Sequence, residues 1–278
     1  MLVSVRLRGI VVFFIIVSIV LTTLVFVLAS DENDSIQLPV VMYHGILKDG
    51  NYSGRFVITP DEFEQDLKYL SDNGYTSVFM SQIIDYVKNG TPLPEKPVVI
   101  TFDDGYYNNY LYAYPLALKY NMKLVISIVG KYSEEYSETA EESAYYSHVT
   151  WDEINEMVQS GHVEIQNHSY NMHTISSKRN GSKKKRSESD EEYKKVLSED
   201  VLKAQDVIKY HTGLAPTVYT YPFGGISKAS VDILKELGFK ATLGCAEGVN
   251  RISRDTECLY MMKRYIRPHN KPVSEILN

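Results

Sequence analysis

The apolar residues of this chain fall into one long run, then into short blocks set between amphipathic stretches. The long run, Ile10 to Ala29, is interrupted only by Ser18, Thr22 and Thr23. Beyond it, Leu38–Tyr43, Val98–Phe102, Leu124–Val129, Val163–Gln166 and Thr217–Tyr221 read as strands, and Thr76–Met80, Ala241–Leu243 and Tyr260–Ile266 complete a set of eight. Helical periods lie between them. Thr59-Pro60-Asp61-Glu62 is a capping box with proline at the first helical position; Phe63, Leu67 and Leu70 follow at helical spacing up to Gly74. Thr150-Trp151-Asp152-Glu153 is a second capping box, with Gly161 as its stop and Trp151 placed for packing. Further helices are predicted over Ser81–Lys88, Tyr106–Tyr120, Glu191–Tyr210 and from Ser227 to Gly238. Strand and helix signals that alternate this regularly predict parallel βα units, and seven to eight strands close most economically as a distorted (β/α) barrel.

The long apolar run changes the picture at the N-terminus. It is long enough to cross a bilayer as a helix. Arg6 and Arg8 precede it and Asp31, Glu32 and Asp34 follow, which predicts the N-terminus inside and the rest of the chain outside. A signal peptide cleaved after Val27-Leu28-Ala29 is the competing expectation and would release the protein; the run exceeds a usual signal h-region, which favours an uncleaved anchor. The chain is thus expected to comprise an anchor over 1–30, a linker over 31–37 and one domain over 38–278, a size at which barrels are single domains.

Charge excludes one class of partner. Without Arg6 and Arg8, the 29 basic residues fall to 27 against 35 acidic ones, a net charge of −8 on the exported part, which argues against nucleic acid. No signal for an obligate protein partner is present. Cys245 and Cys258 are open to a disulfide or to two buried thiols, and no Cys-x-x-Cys offers zinc a thiolate pair. The stretch Ser176–Glu192, with its run Lys183-Lys184-Lys185-Arg186, reads as a solvated loop, the alternative being contact with an anionic wall polymer or lipid headgroups. A few of the 22 tyrosines are available to stack on sugar faces.

The chemistry sits at the strand ends. Asp103 and Asp104 follow Val98–Phe102, His44 follows Leu38–Tyr43, His168 and His173 follow Val163–Gln166, and Phe223-Gly224 follows Thr217–Tyr221. In βα barrels this end of the strands carries the active site. One carboxylate with two imidazoles is a three-ligand metal set that leaves room for water, and the second carboxylate is free to act as a base.

Thr101-Phe102-Asp103-Asp104-Gly105 resembles the first motif of the NodB-homology polysaccharide deacetylases, carbohydrate esterase family four, and His168-Ser169 with His173 resembles their metal-binding histidine motif with one extra residue. That spacing is similar to the branch containing poly-N-acetylglucosamine deacetylases. The resemblance implies a catalytic base at Asp103 and one divalent metal, zinc, on Asp104, His168 and His173. Pro222-Phe223-Gly224 loosely matches the third motif, which implies that the Phe223 backbone N–H helps hold an oxyanion. The motif arginine is missing, since Thr220 and Tyr221 stand there, and Arg264 is the candidate substitute for orienting Asp103. Val41-Met42-Tyr43-His44 resembles the strand that carries the general-acid histidine in circularly permuted members; His269 is the rival. The implied reaction is removal of N-acetyl groups from an N-acetylglucosamine-containing envelope or extracellular polysaccharide. An O-acetyl glycan esterase and a catalytically silent glycan binder are the alternatives.

Overall fold

Parallel pairing of strands that are buried along their length organises the fold. A computed structural model describes residues 35–176 and 179–277, together with residues 13, 17 and 18. The expected anchor, residues 10–29, lies almost wholly outside the described residues; among these, no helix is long and apolar enough to cross a membrane. Residues from Gln37 onward form one compact unit.

Eight strands make one parallel sheet: β1 (Val40–Tyr43), β2 (Thr76–Ser77), β3 (Pro97–Phe102), β4 (Leu124–Ile128), β5 (Val163–Asn167), β6 (Val218–Thr220), β7 (Ala241–Leu243) and β8 (Tyr265–Ile266). Their order is β7-β6-β5-β4-β3-β1-β8, with β2 added at the start of β3. Every residue of β1, β3 and β4 is buried, as expected of strands covered on both faces. The sheet curls, and one short segment reaches both of its edges. Met262 bridges to Leu243 of β7, while Tyr265 and Ile266 pair with Val41 and Met42 of β1. Arg264 lies between these two attachments and is fully buried.

Helices α1 (Pro60–Asp72), α2 (Met80–Asn89), α3 (Tyr114–Lys119), α4 (Gly130–Thr139), α5 (Trp151–Gln159), α6 (Asp190–Thr212) and α7 (Lys228–Glu236) connect the strands. Both expected capping boxes form at Thr59 and Thr150. Phe63, Leu67 and Leu70 of α1 are buried in the main core with Tyr43, Phe102 and Ile100, each such side chain contributing about 1.5–3 kcal/mol by burial. Trp151 packs as expected, stacked on His211 at 4.5 Å with the rings 4° apart.

Several expected elements change shape for local reasons. The strand predicted over Thr76–Met80 stops at Ser77, because the Phe79 N–H donates to Gln82 Oε1 and starts α2. The helix predicted from Tyr106 starts at Tyr107 and passes through a π-turn over Asn109–Ala113 before α3, in which Pro115 lacks a backbone donor. The strand predicted over Tyr260–Ile266 keeps only its last two residues, since Met261 takes a left-handed φ of 56°. Cys245 and Cys258 are free thiols, Cys245 exposed and Cys258 half-buried, so they form neither the disulfide nor the pair of buried thiols that the sequence left open. The loop read as wholly solvated is buttressed at its middle: Ser182 is buried and its carbonyl accepts from Tyr193 Oη at 2.7 Å. Gly181, at φ 54°, lies where a Cβ would stand 2.4 Å from the Pro222 carbonyl, so the loop supports the turn that carries Phe223.

Candidate functional site

The first site residues are placed by extension of the ladder. Asp103 N–H donates to the Tyr43 carbonyl at 3.1 Å, which brings the strand ends of β1 and β3 level. The chain then turns through two left-handed residues, Asp104 at φ 72° and Gly105 at φ 69°. Only glycine fits the second position, because a Cβ there would lie 2.8 Å from Ile128 Cγ2. The turn therefore aims consecutive carboxylates at different partners.

Asp104 faces two imidazoles. Its Oδ1 lies 2.8 Å from His173 Nε2 and 3.3 Å from His168 Nε2. The three ligand atoms lie within 4.8 Å of one another. His168 is oriented through its other nitrogen, Nδ1, which lies 2.8 Å from the Thr220 carbonyl. Metal-bound histidines are held in this way by a carbonyl that fixes the ring and its tautomer. Buried Asp104 Oδ1 has no hydrogen bond of good geometry, although both imidazole nitrogens lie close to it. An acceptor and two ring nitrogens converging without well-formed hydrogen bonds fit a shared divalent cation.

Asp103 is held apart from this triad. Arg264 Nη1 donates to its Oδ1 at 2.7 Å and Nη2 to its Oδ2 at 2.8 Å. The guanidinium is itself fixed, with Nε donating to the Gly244 carbonyl at 2.8 Å. Burial alone would push the Asp103 carboxyl up; the charge of Arg264 and its paired hydrogen bonds outweigh this and hold it below the ordinary value. Arg264 thus takes the position that the resemblance left for a missing arginine.

His44 Nε2 lies 3.9 Å from Asp103 Oδ2. Burial lowers its pKa, against the pull of Asp103 and Asp104. His44 stacks edge-on to Phe56 at 4.8 Å. The rival, His269, is elsewhere: its Nδ1 lies 2.8 Å from Glu62 Oε2, and it does not line the site cavity. Phe223 sits in the turn after β6 at φ 55°, its ring 4.3 Å from that of His173.

His44, Asp103, Asp104, His168, His173 and Phe223 line one cavity of ≈ 560 Å³, whereas Arg264 stands behind its wall and His269 lies outside it. Its wall also holds residues not expected at the site from the sequence, among them Arg55, Tyr106, Asn108, Tyr145 and Glu247, together with Cys245. Tyr106 and Asn108 directly follow the Asp103-Asp104-Gly105 turn, whereas Arg55, Tyr145 and Glu247 come from loops that no local motif marks.

Residues 90–242 match the family model for polysaccharide deacetylases. The chain belongs to the polysaccharide deacetylase family. It is 25% identical over 235 residues to the poly-beta-1,6-N-acetyl-D-glucosamine N-deacetylase of Escherichia coli K12, covering 77% of this chain and 34% of that protein. The chain therefore spans about a third of that relative's length. Among solved structures, a de-N-acetylase from Aggregatibacter actinomycetemcomitans superposes with a TM-score of 0.74 at 28% identity, covering 87% of this chain and 99% of the other. IcaB from Ammonifex degensii does so with a TM-score of 0.68 at 26% identity, covering 84% and 93%.

Proposed function

We propose that this protein is a metal-dependent hydrolase that removes N-acetyl groups from an N-acetylglucosamine-containing polysaccharide of the cell envelope or its surroundings, releasing acetate. One observation carries the reading: two adjacent carboxylates are separated in role, Asp104 facing His168 and His173 while Asp103 is clamped by Arg264 and faces His44. A structural turn has no need of that division. The names of the relatives support the substrate class.

Asp104, His168 and His173 would hold the cation, and two imidazoles with a carboxylate suit zinc. Such a cation supplies Lewis acidity and a more acidic water. Asp103, kept ionised by Arg264, accepts the proton of the water that attacks the acetamide carbon. The Phe223 backbone N–H, in the turn whose ring lies against His173, would donate to the developing oxyanion. The C–N bond then breaks, and His44 gives the departing amine its proton. Because burial favours neutral imidazole, that proton is one handed on from Asp103 across the 3.9 Å contact. Acetate and a free amino sugar result, with water supplying both the oxygen and the proton.

The test is acetate release from poly-N-acetylglucosamine and peptidoglycan, set against O-acetylated xylan. Release from the N-acetylated polymers alone supports the proposal. Release only from xylan would make the protein an O-acetyl esterase, and none from either a silent binder.

We also infer from the sequence of residues 10–29, flanked by Arg6 and Arg8 before and acidic residues after, that the domain is exported and anchored. Protease added to intact cells should remove the domain and leave a membrane-bound stub. Soluble protein beginning at Ser30 would show cleavage instead.

A further inference from the structure

Among the described residues most aromatic rings are buried or half-buried, and four of the exposed ones gather at this mouth. Phe56, Tyr145 and Phe223 line the cavity, and Tyr52 meets Tyr145 edge-on with ring centroids 5.2 Å apart. Tyr52 and Tyr145 remain 58% and 55% exposed, so their contact gives each ring little burial.

Their meeting is built, not incidental. Tyr52 and Tyr145 lie far apart in sequence, and one buried side chain reaches both the strand Gly45–Ile46, which leads into the turn carrying Tyr52, and the residue before Tyr145. Asn108 Oδ1 accepts from the Ile46 N–H at 3.0 Å, and its Nδ2 donates to the Ala144 carbonyl at 2.9 Å. The neighbouring Asn109 Nδ2 donates to the His44 carbonyl at 2.7 Å. The residues that fix the aromatic wall therefore also fix the strand end that carries His44. A wall tied to the catalytic strand in this way keeps a constant offset from the reacting groups.

Pyranose rings present flat C–H faces, and an amphipathic ring with a hydroxyl tip suits both those faces and the hydroxyls at their rim. A cavity of ≈ 560 Å³ is of the size that takes a whole ligand ring, more than one acetamide requires. We infer that Tyr52 and Tyr145 form a second sugar subsite, which takes the pyranose ring next to the one being deacetylated and makes the protein select chains over single sugars. This rests on the function proposed above and adds the residues that read the length of the substrate.

The experiment uses the full chain with β-1,6-linked N-acetylglucosamine oligomers, from monomer to hexamer, and an activated aryl acetate. In the wild type kcat/KM should rise with length. The double variant Tyr52→Ala, Tyr145→Ala should lose on the order of tenfold on the longer oligomers while holding its rate on the aryl acetate and the monomer. The ring-preserving double variant Tyr52→Phe, Tyr145→Phe should keep most of the length dependence. Equal kcat/KM for monomer and hexamer in the wild type would overturn the subsite alone, as would a double alanine variant with an unchanged oligomer profile. A loss of equal size on the aryl acetate would overturn it too, by showing that the rings merely hold the loops. Wild-type inertness toward every N-acetylated oligomer, with the aryl acetate still cleaved, would instead overturn the N-deacetylase reading and the subsite with it.

Discussion

Arg264 and Asp103 stand 161 residues apart and meet through two parallel hydrogen bonds of 2.7 and 2.8 Å, with both side chains out of solvent. Arg264 can reach because it lies between the two attachments of the segment that touches both edges of the sheet. Its other hydrogen bonds go to the Gly244 carbonyl, the Thr101 hydroxyl and the Cys245 sulfur. Removing one member of such a pair leaves the other charge buried alone. Arg264→Met should therefore cost about 3–5 kcal/mol in urea unfolding. Adding Asp103→Asn to it should recover part of that loss, because the stranded carboxylate is gone. A double variant no more stable than Arg264→Met would show that Asp103 is not what the guanidinium neutralises.

Metal binding should depend on all three convergent groups. Asp104→Ala, His168→Ala and His173→Ala should each lose most of the metal found in the wild-type protein by elemental analysis. Chelation should abolish acetate release, and added zinc should restore it. Full metal content in His168→Ala would remove that residue from the set, whatever its effect on activity.

His44 and His269 should part company. An amide's leaving amine needs a proton, whereas an activated phenolate leaves without one. His44→Ala should lower the release of acetate from N-acetylated glycan by about two to four orders of magnitude and affect aryl acetate cleavage far less. His269→Ala should leave turnover close to wild type, since its ring bonds Glu62 at 2.8 Å outside the cavity. The reverse pattern would assign the acid to His269.

Acid should weaken the fold partly through Glu62. Partial burial pushes this carboxyl up, but donors from Thr59, Asn270 and His269, with the charge of Arg267, bring it down to about 2. A group whose pKa falls on folding stabilises the fold above its unfolded value, near 4.3, and that contribution disappears as pH drops toward 2. Denaturant midpoints of the wild type should thus decline more steeply between about pH 4.5 and 2 than those of Glu62→Gln. Parallel declines would mean that this network carries no share of acid sensitivity.

The parts of the site legible in the sequence are those made from neighbours along the chain. Asp103 with Asp104, and His168 with His173, lie just beyond apolar runs, so strand ends and candidate ligands could be read together. Arg264 was legible only as a substitute for a missing residue, because the partner it meets is fixed by closure of the sheet. Asn108 was not legible at all; the two backbone groups it bonds lie 62 and 36 residues away. The helix Gly130–Thr139 was missed because it opens with glycine and is mostly Tyr, Ser, Glu and Thr, burying only Gly130 and Ser133, so no apolar stripe announces it. Strand limits shifted where a side chain caps the next helix, as Gln82 does, or where one residue turns left-handed, as Met261 does.

Asp103→Asn tests most directly whether Asp103 performs the chemistry while Asp104 holds the metal. The substitution keeps the shape of the side chain and removes its basicity. The variant should bind metal as the wild type does, yet release acetate from N-acetylglucosamine oligomers about two to four orders of magnitude more slowly. A fully metal-loaded Asp103→Asn protein with near-normal turnover would contradict the account.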